Sequence, residues 1–371
     1  MAKKLKFSPH KKNQPGLFDL TGNLFDQPSA TPPSPDTPSP DADSAQKLEE
    51  DVRKRMADFV VNVARQRAEA QAEAEAEEKR RREIEIQGAT ERDQLLFISF
   101  GSGSSGNCSY IGDRHQGVLI DAGVDGDKVA AGLKANGLSM SCVRGICLTH
   151  DHGDHVRYVY SIVRKLPDVG IYCTPKTLNG MLRRHNISRR IKDYHRPIYK
   201  EFPFKLAGME LTAFEVSHDG TDNSGFYIER GDHRMTVATD LGSITDRVDY
   251  YMRRARYIVI EANYDAQMLS DGPYPIFLKA RIAAANGHLD NRVTAAFLRE
   301  IYTPQLRNVF LCHLSQENNT PEAARSVIEA SLLETGLESV GDGSGSISAR
   351  QSPLQLYVLP RLTPSPLFAL Y

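Results

Sequence analysis

From about residue 94 onward, short apolar runs alternate with amphipathic segments. The apolar runs are rich in β-branched residues and end in Gly, Asn or His, a pattern typical of buried strands. They are LLFISF, GVLIDAG, RGICLTH, YIVIEAN and NVFLCH. Helical patterns fall between them, in DKVAAGLKANG, VRYVYSIVRKL, TPKTLNGMLRRH, VTAAFLREIY and TPEAARSVIEASLLE. This mixture of strands and helices predicts an α/β sandwich.

Composition divides the chain into unequal parts. Residues 1–43 form a Pro-rich leader that is predicted to be disordered, because little in it can be buried. Residues 44–93 predict a charged helix with an apolar stripe along its first half. Residues 94–340 then form the compact domain, and 341–371 a loose tail in which LQLYVLP is a possible last strand.

Overall charge and cysteine content narrow the class of protein. Lys plus Arg is 46 and Asp plus Glu is 47, which gives a formal net charge of −1 and removes the simplest case for a basic nucleic-acid binder. Five cysteines in 371 residues do not make a disulfide scaffold. No run approaches the roughly 20 apolar residues of a membrane span. We therefore expect a cytoplasmic protein with no membrane segment.

One cluster of side chains indicates metal chemistry. Three histidines and two aspartates fall within residues 150–155, directly after a predicted strand. Imidazoles and carboxylates this close together form a nitrogen-and-oxygen site suited to zinc, manganese or iron. The alternative interpretation is a chance cluster of surface histidines.

The cluster resembles the metal motif H-x-H-x-D-H of the metallo-β-lactamase superfamily, matched by His150, His152, Asp154 and His155. The other positions of that pattern are filled in chain order, one before the motif and three after it. Each stands at the end of a strand-like run: Asp121, His218, Asp240 and His313. The resemblance covers about residues 95–335 and implies a four-layer αββα sandwich. It also implies that one metal takes His150, His152 and His218, and that the other takes Asp154, His155 and His313. Asp240 would bridge the two ions, and Asp121 would orient a ligand imidazole.

A narrower resemblance starts at the first strand. FISFGSGSSGNCSYI, THDHGDH, NGHLDN and HLSQENN are similar to segments of the YycJ/WalJ group, which implies a 5′-to-3′ DNA exonuclease linked to mismatch repair. Ribonuclease Z relatives share a G-H-[LF]-[ST] element whose His assists the leaving group, and His288 occupies that place. This sequence has Asp290 where the group more often has Ser.

The predicted site allows phosphodiester hydrolysis. Two divalent ions would clamp the phosphodiester and supply a bridging hydroxide as nucleophile. Asp154 would orient or deprotonate it, and His288 would protonate the departing oxygen. Zinc and manganese are the expected ions. Iron is less favoured, because flavin-partnered diiron relatives place Glu where this chain has His152.

Two segments are candidates for binding phosphate or DNA. One is the Gly/Ser loop, residues 101–107 (GSGSSGN). Its Ser104, Ser105 and Asn107 could donate to phosphate, although the loop is equally well explained as a tight turn. A basic stretch after the metal motif would attract a DNA backbone unless it is simply a solvated face. The arginines of this stretch that are predicted to contact nucleic acid are Arg183, Arg184, Arg189 and Arg190.

Other interpretations remain open at this point. The same ligands would serve a small-molecule ester or thioester hydrolase, and the fold could be a non-catalytic binding module in a repair complex. Residues Gln14–Phe18 (QPGLF) resemble peptides that dock repair proteins on the bacterial sliding clamp.

Overall fold

The computed structural model describes residues 94–166, 168–343 and 353–371, together with Lys54, Val61 and Arg65. The predicted Pro-rich leader and the clamp-binding peptide at 14–18 lie outside the described residues. The predicted charged helix does so too, apart from the three single positions, each of which is helical.

Fifteen strands are present in the described part of the chain. They are β1 (Leu95–Gly101), β2 (Cys108–Gly112), β3 (Gly117–Ile120), β4 (Val143–Cys147), β5 (Gly170–Cys173), β6 (His195–Pro197), β7 (Phe204–Leu206), β8 (Met209–Glu215), β9 (Ser224–Arg230), β10 (His233–Ala238), β11 (Tyr257–Glu261), β12 (Asn308–Cys312), β13 (Val340–Gly341), β14 (Leu354–Val358) and β15 (Phe368–Leu370). The apolar runs read from the sequence correspond to β1, β3, β4, β11, β12 and β14.

Nine α-helices lie between these strands in the same residues. They are α1 (Gly126–Ala135), α2 (Gly153–Val156), α3 (Val159–Val163), α4 (Pro175–Arg184), α5 (Asp246–Met252), α6 (Ala266–Asp271), α7 (Ile276–Ile282), α8 (Asn291–Ile301) and α9 (Pro321–Leu333). Two 3₁₀ helices add Met140–Cys142 and Arg189–Tyr194. Thr320 begins α9 by accepting a hydrogen bond from the Ala323 amide, and Pro321 follows at the first helical position.

The strands form two sheets that pack face to face. One sheet has the order β15-β1-β2-β3-β4-β5-β6, and the other has the order β13-β14-β12-β11-β10-β9-β8-β7. One apolar core, which includes Phe97, Ile120, Phe226 and Phe310, joins the inner faces of both sheets. Separate cores join each outer face to its helices, so the layers are αββα and the predicted four-layer sandwich is confirmed.

The chain after residue 353 contributes to both sheets. β14 pairs with β12 in parallel, and β15 pairs with β1 in antiparallel. Leu354, Leu356 and Leu370 are buried there, because alternate residues of each short strand face a core. The sequence analysis predicted a loose tail with one possible strand, LQLYVLP, whereas the structure has two strands in this segment, and both belong to the sandwich.

The fold brings strand ends together at one edge. β3, β4 and β5 are parallel in the first sheet, and β10, β11 and β12 are parallel in the second. Loops that leave the carboxyl ends of parallel strands meet on the same side. In the described part of the chain, no helix combines the length and the apolar character needed to cross a bilayer.

Candidate metal centre

The histidine cluster lies in the loop that connects β4 to α2. His152 precedes α2 directly, and the residues that follow form the short helix. The loop is fixed by backbone hydrogen bonds from the segment after β3 and from the residue before β2: the Ala122 amide donates to the His155 carbonyl, and the Asn107 amide donates to the Asp154 carbonyl. The cluster therefore takes its shape from the sheet edge on which it rests.

One group of three imidazoles corresponds to the first predicted metal. His150, His152 and His218 each offer a ligand atom, and these atoms lie within 4.8 Å of one another. His152 Nδ1 is 3.3 Å from His218 Nε2. His218 follows β8, so a residue distant in sequence is brought beside the motif by the second sheet.

A second group corresponds to the other predicted metal. Asp154 Oδ2 lies 3.5 Å from His155 Nε2 and 3.5 Å from His313 Nε2. Asp240, which follows β10, lies between the two groups. Its Oδ2 is 3.2 Å from His155 Nε2, and its Oδ1 is 3.6 Å from His218 Nε2. This position between the groups is the one that a bridging carboxylate requires.

Several buried polar atoms of the cluster make no hydrogen bond of good geometry among the described residues, although two of them lie within ion-pair distance of a neighbour. These buried atoms are His150 Nε2, Asp240 Oδ2 and His313 Nε2. A buried polar atom without a partner is costly unless something else satisfies it, and divalent cations held by the two groups would satisfy these atoms. The nitrogen-and-oxygen donor set therefore fits a divalent metal centre.

Electrostatics in the cluster point the same way. Burial lowers the pKa of His150 well below its usual value, and the neighbouring His155 lowers it further. Burial also opposes protonation of His155, but the carboxylates of Asp240, Asp121 and Asp154 prevail and raise its pKa well above normal. The pKa of His313 rises to about 10, since Asp240 and other carboxylates outweigh its burial. The carboxylates thus stabilise positive charge at the centre of the cluster.

Partners outside the cluster fix the orientation of its rings. Asp121 Oδ2 is 2.7 Å from His155 Nδ1, and the same carboxylate accepts the amide and the hydroxyl of Thr149. The Gly287 carbonyl lies 2.9 Å from His218 Nδ1. These contacts leave Nε2 of both rings directed at the cluster.

Two of these residues adopt a backbone conformation that is rare for side-chain-bearing residues. Asp121 has φ of 62° and His313 has φ of 54°, both in the left-handed region. The conformation turns each residue sharply off the end of its strand, β3 or β12, towards the cluster. Such strain is typical of functional sites, where the surrounding structure holds it in place.

The sequence analysis missed a carboxylate at this site. Glu261 ends β11 and is fully buried. Its Oε1 lies 2.8 Å from His288 Nδ1 and 2.9 Å from His313 Nδ1, and its Oε2 accepts the Leu241 amide at 2.8 Å. Glu261 thereby connects the predicted proton donor to a predicted metal ligand. The signal in the sequence was an acidic residue at the end of an otherwise apolar run, YIVIE.

We expect Glu261→Gln to lower metal affinity and turnover by about 10- to 100-fold. In either orientation the glutamine NH2 would face groups that already donate, the rings of His288 and His313 in one and the Leu241 backbone amide in the other. Metal titration and steady-state rates measure the effect. Glu215→Gln, at an exposed position of β8, is the control, and equal behaviour of the two variants would contradict the positioning role.

The cluster forms the floor of a polar cavity of about 330 Å³. Ser104 and Arg184, both predicted to bind phosphate, line it, as does the predicted proton donor His288. Arg281 lines it as well and forms an ion pair with Asp219, 2.7 Å from Nη2 to Oδ2. Neither Arg281 nor Asp219 was identified from the sequence, although Asp219 directly follows His218.

Other predicted phosphate contacts lie elsewhere. Arg183 and Arg189 line a neighbouring cavity together with Lys192. Ser105 lines a different cavity, beside the Gly/Ser loop. Arg190 lines neither of these two cavities. Asn107 is buried, and its side-chain nitrogen Nδ2 contacts the Gly103 carbonyl at 3.1 Å and His155 Nε2 at 3.0 Å. The Asn107 side chain is thus engaged within the protein, which differs from the predicted contact with phosphate.

Comparison with known proteins places this site in a family. The model of the beta-lactamase superfamily domain matches residues 116–313. The chain is 32% identical over 243 residues to Exodeoxyribonuclease YycJ of Bacillus anthracis, covering 65% of this chain and 90% of that protein. It is 30% identical over 237 residues to Exodeoxyribonuclease WalJ of Streptococcus pneumoniae strain D39, covering 64% of this chain and 87% of that protein.

Solved structures show the same fold at low identity. The metallo-beta-lactamase fold protein YhfI from Bacillus subtilis is similar with a TM-score of 0.52 and 11% identity, over 74% of this chain and 99% of YhfI. Zn²⁺-bound PqqB from Methylobacterium extorquens gives a TM-score of 0.51 and 15% identity, over 73% of this chain and 99% of PqqB. The chain belongs to the beta-lactamase superfamily, as a metal-dependent hydrolase of the metallo-β-lactamase fold that is similar to YycJ and WalJ.

Proposed function

We propose that the protein is a 5′-to-3′ DNA exonuclease that acts in DNA repair and uses two divalent ions, zinc or manganese. The observation that carries the proposal is the pair of adjacent ligand groups, with Asp240 between them, in a chain whose curated relatives are named exodeoxyribonucleases. His150, His152 and His218 would hold one ion. Asp154, His155 and His313 would hold the other.

The ions would supply Lewis-acid polarisation of the phosphodiester and a water that ionises near neutral pH. Asp154 is suited to orient that water, because its Oδ2 lies 3.5 Å from rings of the second group and its side chain reaches the cavity. His288 is suited to donate a proton to the departing oxygen. Glu261 holds its Nδ1, so Nε2 is the nitrogen available to the cavity.

Basic side chains around the cavity support a phosphate-bearing substrate. Arg184 and Arg281 line the cavity itself, and Arg183, Arg189 and Lys192 line the neighbouring one. Charge arranged in this way attracts a phosphate backbone and positions it without reading bases. A small ester or thioester substrate would favour a closed, apolar pocket. The cavity over the metal centre does not have that character.

The test is degradation of duplex and single-stranded DNA that carries a label at either the 5′ or the 3′ end, with added manganese or zinc. We expect a 5′ label to be released first as a short product, while a 3′ label stays on progressively shorter strands. His150→Ala should reduce the rate to background, because it removes a ligand of the first group. His115→Ala, at an exposed position, is the control.

Three results would contradict the proposal. Release of the 3′ label first would reverse the polarity, and cleavage unaffected by His150→Ala would place the reaction elsewhere. Intact DNA, together with metal-dependent hydrolysis of a thioester by the wild type, would indicate a small-molecule hydrolase.

A further inference from the structure

A second cavity, of about 560 Å³, lies away from the metal centre. We call it the guanidinium pocket. It is lined by Tyr227, Arg234, Arg254, Arg256, Pro304, Gln305 and Arg307. Its volume falls within the roughly 300–1,000 Å³ of small-molecule sites and exceeds what a single phosphate group fills. Four arginines around one cavity give it a strongly positive field.

The pocket lies at the opposite end of the strands that carry the metal centre. Arg234 is at the start of β10, Arg256 directly precedes β11, and Arg307 directly precedes β12. Asp240, Glu261 and His313 are at or just beyond the other ends of the same parallel strands. At about 3.3 Å per residue, the two sites are separated by roughly 16 to 20 Å along the sheet.

Little negative charge offsets these guanidinium groups. Among the described residues, Glu229 is the one acidic side chain within ion-pair distance of any of them, 3.5 Å from Arg234. Arg256 Nε is buried and has no hydrogen-bond partner in the same residues, although Nη2 contacts a main-chain oxygen of Tyr371, the last residue of the sequence, at 3.4 Å. Clustered like charges and a buried donor without a partner both favour an anionic ligand.

The pocket also holds one guanidinium in place before any ligand binds. Arg254 lies over the rings of Tyr227 and Tyr250, 5.8 and 5.1 Å from their centroids. It also donates to the Tyr250 hydroxyl at 3.2 Å. Stacking of this kind restricts the arginine side chain, so less conformational entropy is lost when it binds an anion.

We propose that the guanidinium pocket binds a chain of linked phosphates, from a nucleoside triphosphate or from inorganic tripolyphosphate. Linked phosphates match several guanidinium groups at once, each of which can pair with phosphate oxygens in bidentate fashion. A DNA duplex held at the metal centre does not reach this pocket. The pocket is at the edge of the sandwich opposite the metal centre. Because the persistence length of DNA is about 150 base pairs, a duplex does not bend sharply enough to follow both edges.

The test is calorimetric titration of the full-length, metal-loaded protein with sodium tripolyphosphate and separately with ATP, with adenosine as the uncharged comparison. We expect Arg254→Gln/Arg307→Gln to weaken binding of both phosphate ligands at least tenfold. Both arginines are exposed, so the fold should tolerate the change, and Arg256→Gln is the second variant. Metal content is measured after each titration, because phosphate chains also chelate ions.

Arg184→Gln/Arg281→Gln removes two guanidinium groups from the cavity over the metal centre and is the matched comparison. Unchanged phosphate affinity in this variant, with the loss confined to the guanidinium pocket variants, supports the proposal. Binding lost only in Arg184→Gln/Arg281→Gln, or retained in every variant, overturns it. Loss of affinity for a single-stranded oligonucleotide, but not for tripolyphosphate, in Arg254→Gln/Arg307→Gln would assign the pocket to nucleic acid and also overturn it.

Discussion

Replacement of His288 by alanine is expected to lower the turnover of DNA by about 10²- to 10⁴-fold, the usual contribution of a general acid, while metal content stays at the wild-type level. His288 lines the cavity over the metal centre and is not one of the predicted metal ligands, although it forms a further group with Asp240, Glu261 and His313 whose ligand atoms lie within 4.8 Å of one another. Its contact with Glu261 Oε1, 2.8 Å from Nδ1, fixes the ring with its other nitrogen available for proton transfer.

The choice of substrate separates proton donation from a structural role. A p-nitrophenyl phosphodiester has a leaving group that departs without protonation, so His288→Ala should slow its hydrolysis by less than about tenfold. His185→Ala is the control. His185 lines the same cavity, but its Nε2 is 2.6 Å from the Asp151 carbonyl and is therefore engaged. Equal losses on DNA and on the p-nitrophenyl ester would rule out the proton-donor role of His288.

The metal motif was accessible from the sequence because it follows a recognisable apolar run, and the remaining ligands were accessible through their resemblance to the superfamily pattern. His150 to His155 follow β4, and His218, Asp240 and His313 follow β8, β10 and β12. The resemblance to the superfamily pattern predicted that these residues share one site, and the structure gives the physical reason, because parallel strands bring their carboxyl ends to one edge. The residue types then limited the chemistry to metal binding.

Residues that act through tertiary packing were not accessible in the same way. Arg183 and Arg184 are adjacent in α4, yet Arg184 lines the cavity over the metal centre and Arg183 lines another. Successive helix residues are about 100° apart, and which one faces the site is decided by how α4 packs on the sheet. The pattern identified a basic helix but not the face that it presents.

Asp290 shows that a departure from the family pattern can be locally equivalent. Its side chain accepts the Arg292 amide at 2.7 Å and begins α8 as the N-terminal cap. Serine and aspartate serve this position almost equally well. The substitution therefore preserves the start of α8 and with it the backbone around His288, which the sequence alone did not reveal.

Replacement of Gly123 by alanine is expected to destabilise the fold by about 3 kcal/mol or more, at or beyond the upper end of ordinary overpacking, and to reduce metal binding as well. A Cβ atom at Gly123 would lie 1.5 Å from the Asp154 carbonyl oxygen, so one of the two backbone segments has to move. Neither segment is free to do so. The Gly123 amide donates to the Asn107 carbonyl, and the Asn107 amide donates to the Asp154 carbonyl.

Thermal unfolding and metal titration measure the two effects of Gly123→Ala. Gly153→Ala, in the adjoining loop after β4, is the matched control, because a Cβ there meets its nearest neighbour, His185, at an ordinary 3.5 Å. Gly153 also begins α2, where alanine favours the helix by up to about 1 kcal/mol. If Gly123→Ala instead unfolded at the wild-type temperature and bound metal equally well, the loops after β3 and β4 would be able to separate without cost. The close backbone contact between them would then have no part in shaping the metal centre.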